Sequence, residues 1–101
     1  MKIYCTGNYT QQPRMIMRKC GYGELTTRQG KTSYTKLLRG IPFPRFHAYL
    51  DPADEGFTIN LHLDQKAPVY QSGAAHAGEY DGAVVEREAA RIESVVEQFR
   101  Q

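Results

Sequence analysis

Four side chains between residues 47 and 76 could bind a metal ion. His47, His62 and Asp64 lie on two segments with β-strand patterns, and His76 follows in a glycine-bounded stretch. Two or three imidazoles with a carboxylate can hold zinc or another divalent transition metal and leave one position open for water. Such a metal would lower the pKa of the bound water and support hydrolysis. The spacing matches no established zinc motif, so metal binding or metal-dependent hydrolysis is an alternative and not the leading hypothesis.

Basic side chains are concentrated in the first half of the chain. Residues 1–50 contain nine Lys or Arg and one acidic residue, a net charge of +8, whereas residues 51–101 contain four basic and ten acidic residues, a net charge of −6. Cations interleaved with aromatic residues can neutralise phosphates and stack bases. The sequence therefore favours a non-enzymatic protein that binds a polyanion such as nucleic acid. The candidate binding residues are Arg14, Arg18, Lys19, Arg28, Lys31, Lys36 and Arg39.

The same charge asymmetry allows a third interpretation. Two copies of the chain could associate through their oppositely charged halves, or through the C-terminal helix, in a homo-oligomeric accessory protein. No pattern marks a catalytic nucleophile or base, so the catalytic residues stay unassigned. Cys5 and Cys20 are too few for a disulfide framework and are expected to be buried, reduced thiols.

The histidines must be positioned by a β-hairpin over residues 45–64. Its second strand alternates apolar and polar side chains from Phe57 onward, and its first strand does so over residues 45–50. Residues 51–56 are rich in turn formers and predict the connection. Matching the apolar faces places His47 opposite Asn60 and makes His62 its diagonal neighbour on the polar face.

One helix is predicted over residues 83–99, with Asp81 as its N-cap. Its apolar stripe should pack on the apolar face of the hairpin and supply most of the stability. Strands are also expected over residues 1–5 and 14–20, and a second hairpin over residues 24–38. The fold class is therefore α+β, a small antiparallel sheet packed against one C-terminal helix, in a single domain of 101 residues. The apolar stripe of the predicted helix consists of Val85, Ala89, Ile92, Val96 and Phe99.

Targeting signals are not evident in the sequence. No apolar run approaches the length of a membrane span, and the first residues lack the hydrophobic stretch of a secretory signal. The expected location is cytoplasmic, without membrane association.

Overall fold

In the residues that the structure describes, five antiparallel strands form one sheet, and two helices pack on it. The computed structural model describes residues 1–65 and 77–101, with the side chains of the second range described from residue 82. In chain order the elements are β1 (Lys2–Thr6), α1 (Pro13–Lys19), β2 (Gly23–Thr26), β3 (Thr32–Leu37), β4 (Arg45–Ala53), β5 (Gly56–Asp64) and α2 (Ala77–Glu97). The sheet order is β1-β5-β4-β3-β2, so the predicted central hairpin and the predicted α+β class are confirmed.

The central hairpin is longer and tighter than its sequence predicts. β4 and β5 pair from Ala53 and Gly56 beside the turn to Arg45 and Asp64 at the other end. The connection is a two-residue turn, whereas the sequence pattern predicted a turn over residues 51–56, which was wrong. The register is therefore shifted by two residues, and His47 lies opposite His62. A shift of two leaves each side chain on its predicted face, because side chains alternate with a period of two.

The core lies between the sheet and the helices. Ile59 and Leu61 of β5 are buried together with Val85, Ala89 and Ile92 of α2, as the apolar stripes predicted. The helix α2 begins at Ala77 and ends at Glu97. Asp81 therefore lies inside the helix, and its prediction as the N-cap was wrong. Burial of a large apolar side chain such as Ile59, Leu61 or Ile92 contributes roughly 1.5–3 kcal/mol to the free energy of folding.

The segment after Pro13 is a helix, so the strand predicted over residues 14–20 was wrong. Pro13 occupies the first turn of α1, where its fixed φ and missing N–H are tolerated. Ile16, Met17 and Cys20 are all buried. Their spacing of three and four residues places them on one helical face, while no alternation of period two accommodates adjacent Ile16 and Met17.

The predicted second hairpin is confirmed by β2 and β3, which pair from Gly23 and Thr35 to Thr26 and Thr32. Tyr34 and Ala48 lie opposite each other on β3 and β4, and both are buried beneath the helices.

Within the described residues, no helix has the length and apolar character needed to cross a bilayer.

Candidate functional site

The polar side chains of the central hairpin project from the sheet face opposite α1 and α2. On β5 the buried residues Phe57, Ile59, Leu61 and Leu63 point towards the helices, and the alternate residues point away. In the described ranges, both helices pack on the same side. The opposite surface is called the open face here. The central hairpin contributes to it Arg45, His47, Tyr49, Asp51, Thr58, Asn60, His62 and Asp64.

His47 is held by hydrogen bonds at both ring nitrogens. Its Nδ1 lies 2.9 Å from Oδ2 of Asp64, and its Nε2 lies 2.9 Å from Oγ of Ser33. Arg45 donates from Nε to the same Asp64 oxygen at 3.3 Å. An ionised carboxylate only accepts hydrogen bonds, so Nδ1 carries the proton, and in the neutral ring Nε2 accepts from the Ser33 hydroxyl.

The Ser33–His47–Asp64 chain has the atom order of a serine-hydrolase triad. Its serine, however, is only 1% exposed. A nucleophilic hydroxyl must reach the carbonyl carbon of a substrate, and Ser33 is enclosed by its neighbours. The hydrogen bonds among Ser33, His47 and Asp64 therefore orient the His47 ring and do not form a site for acyl transfer.

The metal site predicted from the sequence is only partly covered by the structure. His47 and His62 lie directly opposite each other, and Asp64 is hydrogen-bonded to His47. His76 lies outside the described residues. In the part of the chain that the structure describes, no group of three potential ligands converges, and His47 could coordinate through Nε2 only by releasing Ser33. Zinc binding by these four residues stays a prediction.

A concavity of about 480 Å³ lies on the open face around the Tyr49 ring. The ammonium of Lys31 lies 5.3 Å from the centroid of that ring. The centroid of the His47 ring lies 4.8 Å from the Tyr49 centroid, and the two ring planes are inclined by 31°. The His62 centroid lies 6.2 Å from the Tyr49 centroid, with an interplanar angle of 70°. This site is named the Tyr49 concavity, and its lining consists of Lys31, Thr32, Tyr49, Leu50, Asp51, Asn60 and His62.

Two polar side chains in the Tyr49 concavity are bonded to each other. Nδ2 of Asn60 donates a hydrogen bond to Oδ2 of Asp51. Because a carboxylate only accepts, the amide nitrogen of Asn60 must face Asp51. The site therefore combines the aromatic surface of Tyr49, the Lys31 cation and the hydrogen-bond acceptors of Asp51 and Asn60.

The seven basic residues predicted to bind a polyanion are not gathered in one patch. Three of them, Arg14, Arg18 and Lys19, belong to α1 on the helical side, and Arg14 forms an ion pair of 3.4 Å with Glu24. Lys36 also faces that side, since it lies opposite the buried Phe46.

The remaining predicted cations lie at the two ends of β3. Arg28 and Lys31 belong to the connection between β2 and β3, and Arg39 follows β3. Of the seven, Lys31 borders the Tyr49 concavity.

Two residues that the sequence interpretation omitted also lie on the open face. Lys2 is opposite Asn60, and Tyr4 is opposite Thr58; the Tyr4 residue is 71% exposed. The alternation of Lys2 and Tyr4 with buried Ile3 was the available signal. It needed the pairing of β1 with β5, which the sequence did not reveal.

A buried polar network on the other side of the sheet connects α1 to α2. The Tyr22 hydroxyl donates to Oε2 of Glu88 at 2.6 Å, and Arg91 donates to both Glu88 oxygens at 2.8 Å. Arg91 also donates to the carbonyl of Cys20 at 2.7 Å. Burial alone would raise the pKa of Glu88, but the hydrogen bonds from Arg91 and Tyr22 hold it below its ordinary value. These groups satisfy one another, which is the behaviour of a structural network.

Comparison of the chain with known proteins found no match among protein-family models, curated proteins or solved structures.

Proposed function

We propose that this chain is a non-enzymatic protein that binds single-stranded nucleic acid on the open face. The observation that carries the proposal is the placement of Lys31 over the Tyr49 ring in a concavity. Proteins that bind single strands combine aromatic surfaces for the bases with cations for the backbone. Lys2 and the exposed Tyr4 extend the same combination across β1.

The arrangement around Tyr49 can accommodate a base at low cost. An exposed cation–π contact contributes about 0.5–1 kcal/mol, whereas stacking of a base on an aromatic side chain contributes about 1–3 kcal/mol. A base can therefore displace the Lys31 ammonium from the ring. The flexible lysine stem then allows the ammonium to pair with a neighbouring phosphate.

Charge on the open face favours a short contact with the nucleic-acid backbone. Asp64 forms an ion pair with Arg45, so its carboxylate is partly neutralised. Lys2 on β1 and Lys31 beside β3 lie on either side of the row that contains Asn60 and Tyr49, across three strand spacings or about 14 Å of sheet width. We expect few phosphate contacts and hence a shallow salt dependence, about −0.7 in log K against log salt for each contact.

Fluorescence anisotropy with a labelled single strand of about twelve nucleotides tests the proposal, since single-strand sites span ~4–16 nucleotides. Binding should be measured across salt concentrations, with the matching duplex as competitor. We expect Tyr49→Ala to weaken binding about tenfold through lost stacking. Lys31→Ala should reduce the salt slope by about one phosphate contact.

Lys19→Ala is the matched control, because it removes the same charge from α1 on the helical side of the sheet. Its binding should equal that of the unmodified protein. Equal losses for the two lysine variants would contradict the assignment to the open face. Absence of single-strand binding at low salt would overturn the proposal.

A further inference from the structure

We infer that the Tyr49 concavity selects guanine over the other bases, an inference that rests on the proposed function. The argument depends on the polar wall of the concavity, which Asp51 and Asn60 form beside the aromatic ring. Tyr49 and Lys31 explain why a base and a phosphate bind there. They do not distinguish one base from another, because every base has a π-face.

The polar wall presents hydrogen-bond acceptors to a base stacked on Tyr49. One carboxylate oxygen of Asp51 accepts from the Asn60 amide nitrogen. The second carboxylate oxygen and the Asn60 amide oxygen are both acceptors by their chemistry. The hydrogen bond between the two side chains orients the Asn60 amide with its nitrogen towards Asp51.

Guanine is the base whose Watson–Crick edge matches such a wall. It carries two neighbouring donors, N1–H and the exocyclic N2–H₂, which a carboxylate can accept together. Adenine and cytosine each place a ring-nitrogen acceptor beside their amine, and thymine and uracil place carbonyl acceptors on both sides of N3–H. The edges of these bases would place acceptors against the Asp51 carboxylate. Both groups would lose their hydrogen bonds to water without gaining a partner, which weakens binding.

Lys31 offsets the negative charge that Asp51 brings to the site. Its ammonium already lies near the ring, and both residues line the same concavity. When a strand is bound, the Lys31 ammonium pairs with the adjacent phosphate, and the Asp51 carboxylate accepts hydrogen bonds from guanine. Base selection and backbone binding thus fall on different side chains, which makes them separable by substitution.

The test uses thymine strands of about nine nucleotides that carry one central guanine, adenine, cytosine or thymine. A single guanine avoids self-association of guanine-rich strands. We expect the guanine strand to bind about tenfold more tightly than the other three, as is typical when a site rewards matched donors and leaves mismatched acceptors unpaired. Guanosine monophosphate serves as the competitor that separates a strand site from a mononucleotide site.

Asp51→Ala should abolish the preference for guanine, so that the four strands bind this variant equally. Asp54→Ala is the control, because it removes the same charge from the adjacent turn and should keep the preference. Circular dichroism confirms that both variants are folded. The comparison of bases in the unmodified protein tests the inference even if a variant fails to fold.

The outcomes separate this inference from the proposed function. Equal binding of the four strands would overturn guanine selection and leave nucleic-acid binding in place. Lack of binding to every strand would overturn both. If guanosine monophosphate binds as tightly as the guanine strand, base selection is supported, and the neighbouring nucleotides of the strand contribute nothing to binding.

Discussion

Gly56 determines how closely the first strand can approach the central hairpin. Its φ is 119°, a conformation that L side chains rarely adopt. A Cβ atom at this position would lie 1.9 Å from the carbonyl oxygen of Cys5. The residue must therefore lack a side chain for two reasons, the conformation of the turn and the backbone contact with β1.

Replacing Gly56 by alanine should destabilise the protein by more than about 1 kcal/mol, because both the conformation and the contact must change. Urea denaturation measures the loss. Gly82→Ala is the control, since a Cβ there meets nothing within 4 Å and the residue lies within α2. It should raise stability by about 0.5–1 kcal/mol. Equal effects of the two substitutions would contradict this account.

At the scale of elements, α1 is fixed to α2 by one buried carboxylate. Glu88 receives hydrogen bonds from Tyr22, which follows α1, and from Arg91 one turn along α2. The polar network therefore adds directional contacts to the apolar packing of Ile16 and Met17, which are also buried in the core.

Tyr22→Phe should lower the free energy of unfolding by about 2 kcal/mol at pH 7, because it leaves an ionised, buried carboxylate with one donor fewer. The pKa of Glu88 is lowered from 4.5 by folding, so its stabilising contribution is present above pH 4.5 and is lost as the pH falls through the folded-state value. The difference between the two proteins should narrow in acid.

Urea denaturation at neutral and acidic pH measures this difference. The exposed Tyr4 offers a control, and Tyr4→Phe should change stability by less than about 0.5 kcal/mol. A Tyr22→Phe effect of the same size at both pH values would show that Glu88 ionisation is not its cause.

The elements with clear periodicity could be predicted from the sequence, as could β1 and the second hairpin from their strand-favouring composition, whereas α1 and the length of the central turn could not. The stripe from Val85 to Val96 and the alternation from Phe57 to Leu63 each have one physical solution. The length of the central turn could not be predicted, because a register shift of two residues keeps every side chain on the same face of the sheet, so the hydrophobic pattern does not distinguish the two registers. α1 was missed because seven residues contain too little helical periodicity to outweigh a strand interpretation.

The candidate site was less predictable for the same physical reason. The polar face of the hairpin, with His47 and His62, could be derived from alternation. Ser33 as a partner of His47 required knowledge that β3 lies beside β4, and Lys2 required the pairing of β1 with β5. Neighbours across a sheet depend on strand order, which local patterns do not encode.

At the scale of the whole molecule, one core encloses both thiols. Cys5 on β1 and Cys20 after α1 are buried and free. Burial is the main cause that raises the pKa of each to about 11, and the charge of Glu93 adds to it at Cys5. The folded state thus resists thiol ionisation that the unfolded chain undergoes near its ordinary value of 9.0.

Stability should therefore decline in alkaline solution. The contribution of each thiol is complete below pH 9 and is lost as the pH rises towards 11, with a cost of about 1 kcal/mol per thiol at pH 10. Denaturation at pH 8 and pH 10 measures the decline. The double variant Cys5→Ala with Cys20→Ala should show a smaller decline over this interval, although its stability at pH 8 is lower.

Reactivity towards a thiol reagent at pH 8 is an independent check. Both thiols should react slowly in the native protein and quickly in denaturant, because the reactive thiolate is suppressed by burial. Rapid modification of the native protein would contradict their enclosure.

The pairing of β1 with β5 has a consequence for the order in which the sheet assembles. Lys2 lies opposite Asn60, so β1 can join the sheet only after β5, which follows it by about 50 residues and is the last of the described strands in chain order. The two hairpins need only local chain closure, whereas this edge closes a much longer loop and carries a larger entropic cost. We expect β1 to join after the hairpins, which leaves the flank of β5 briefly available to neighbouring nascent chains.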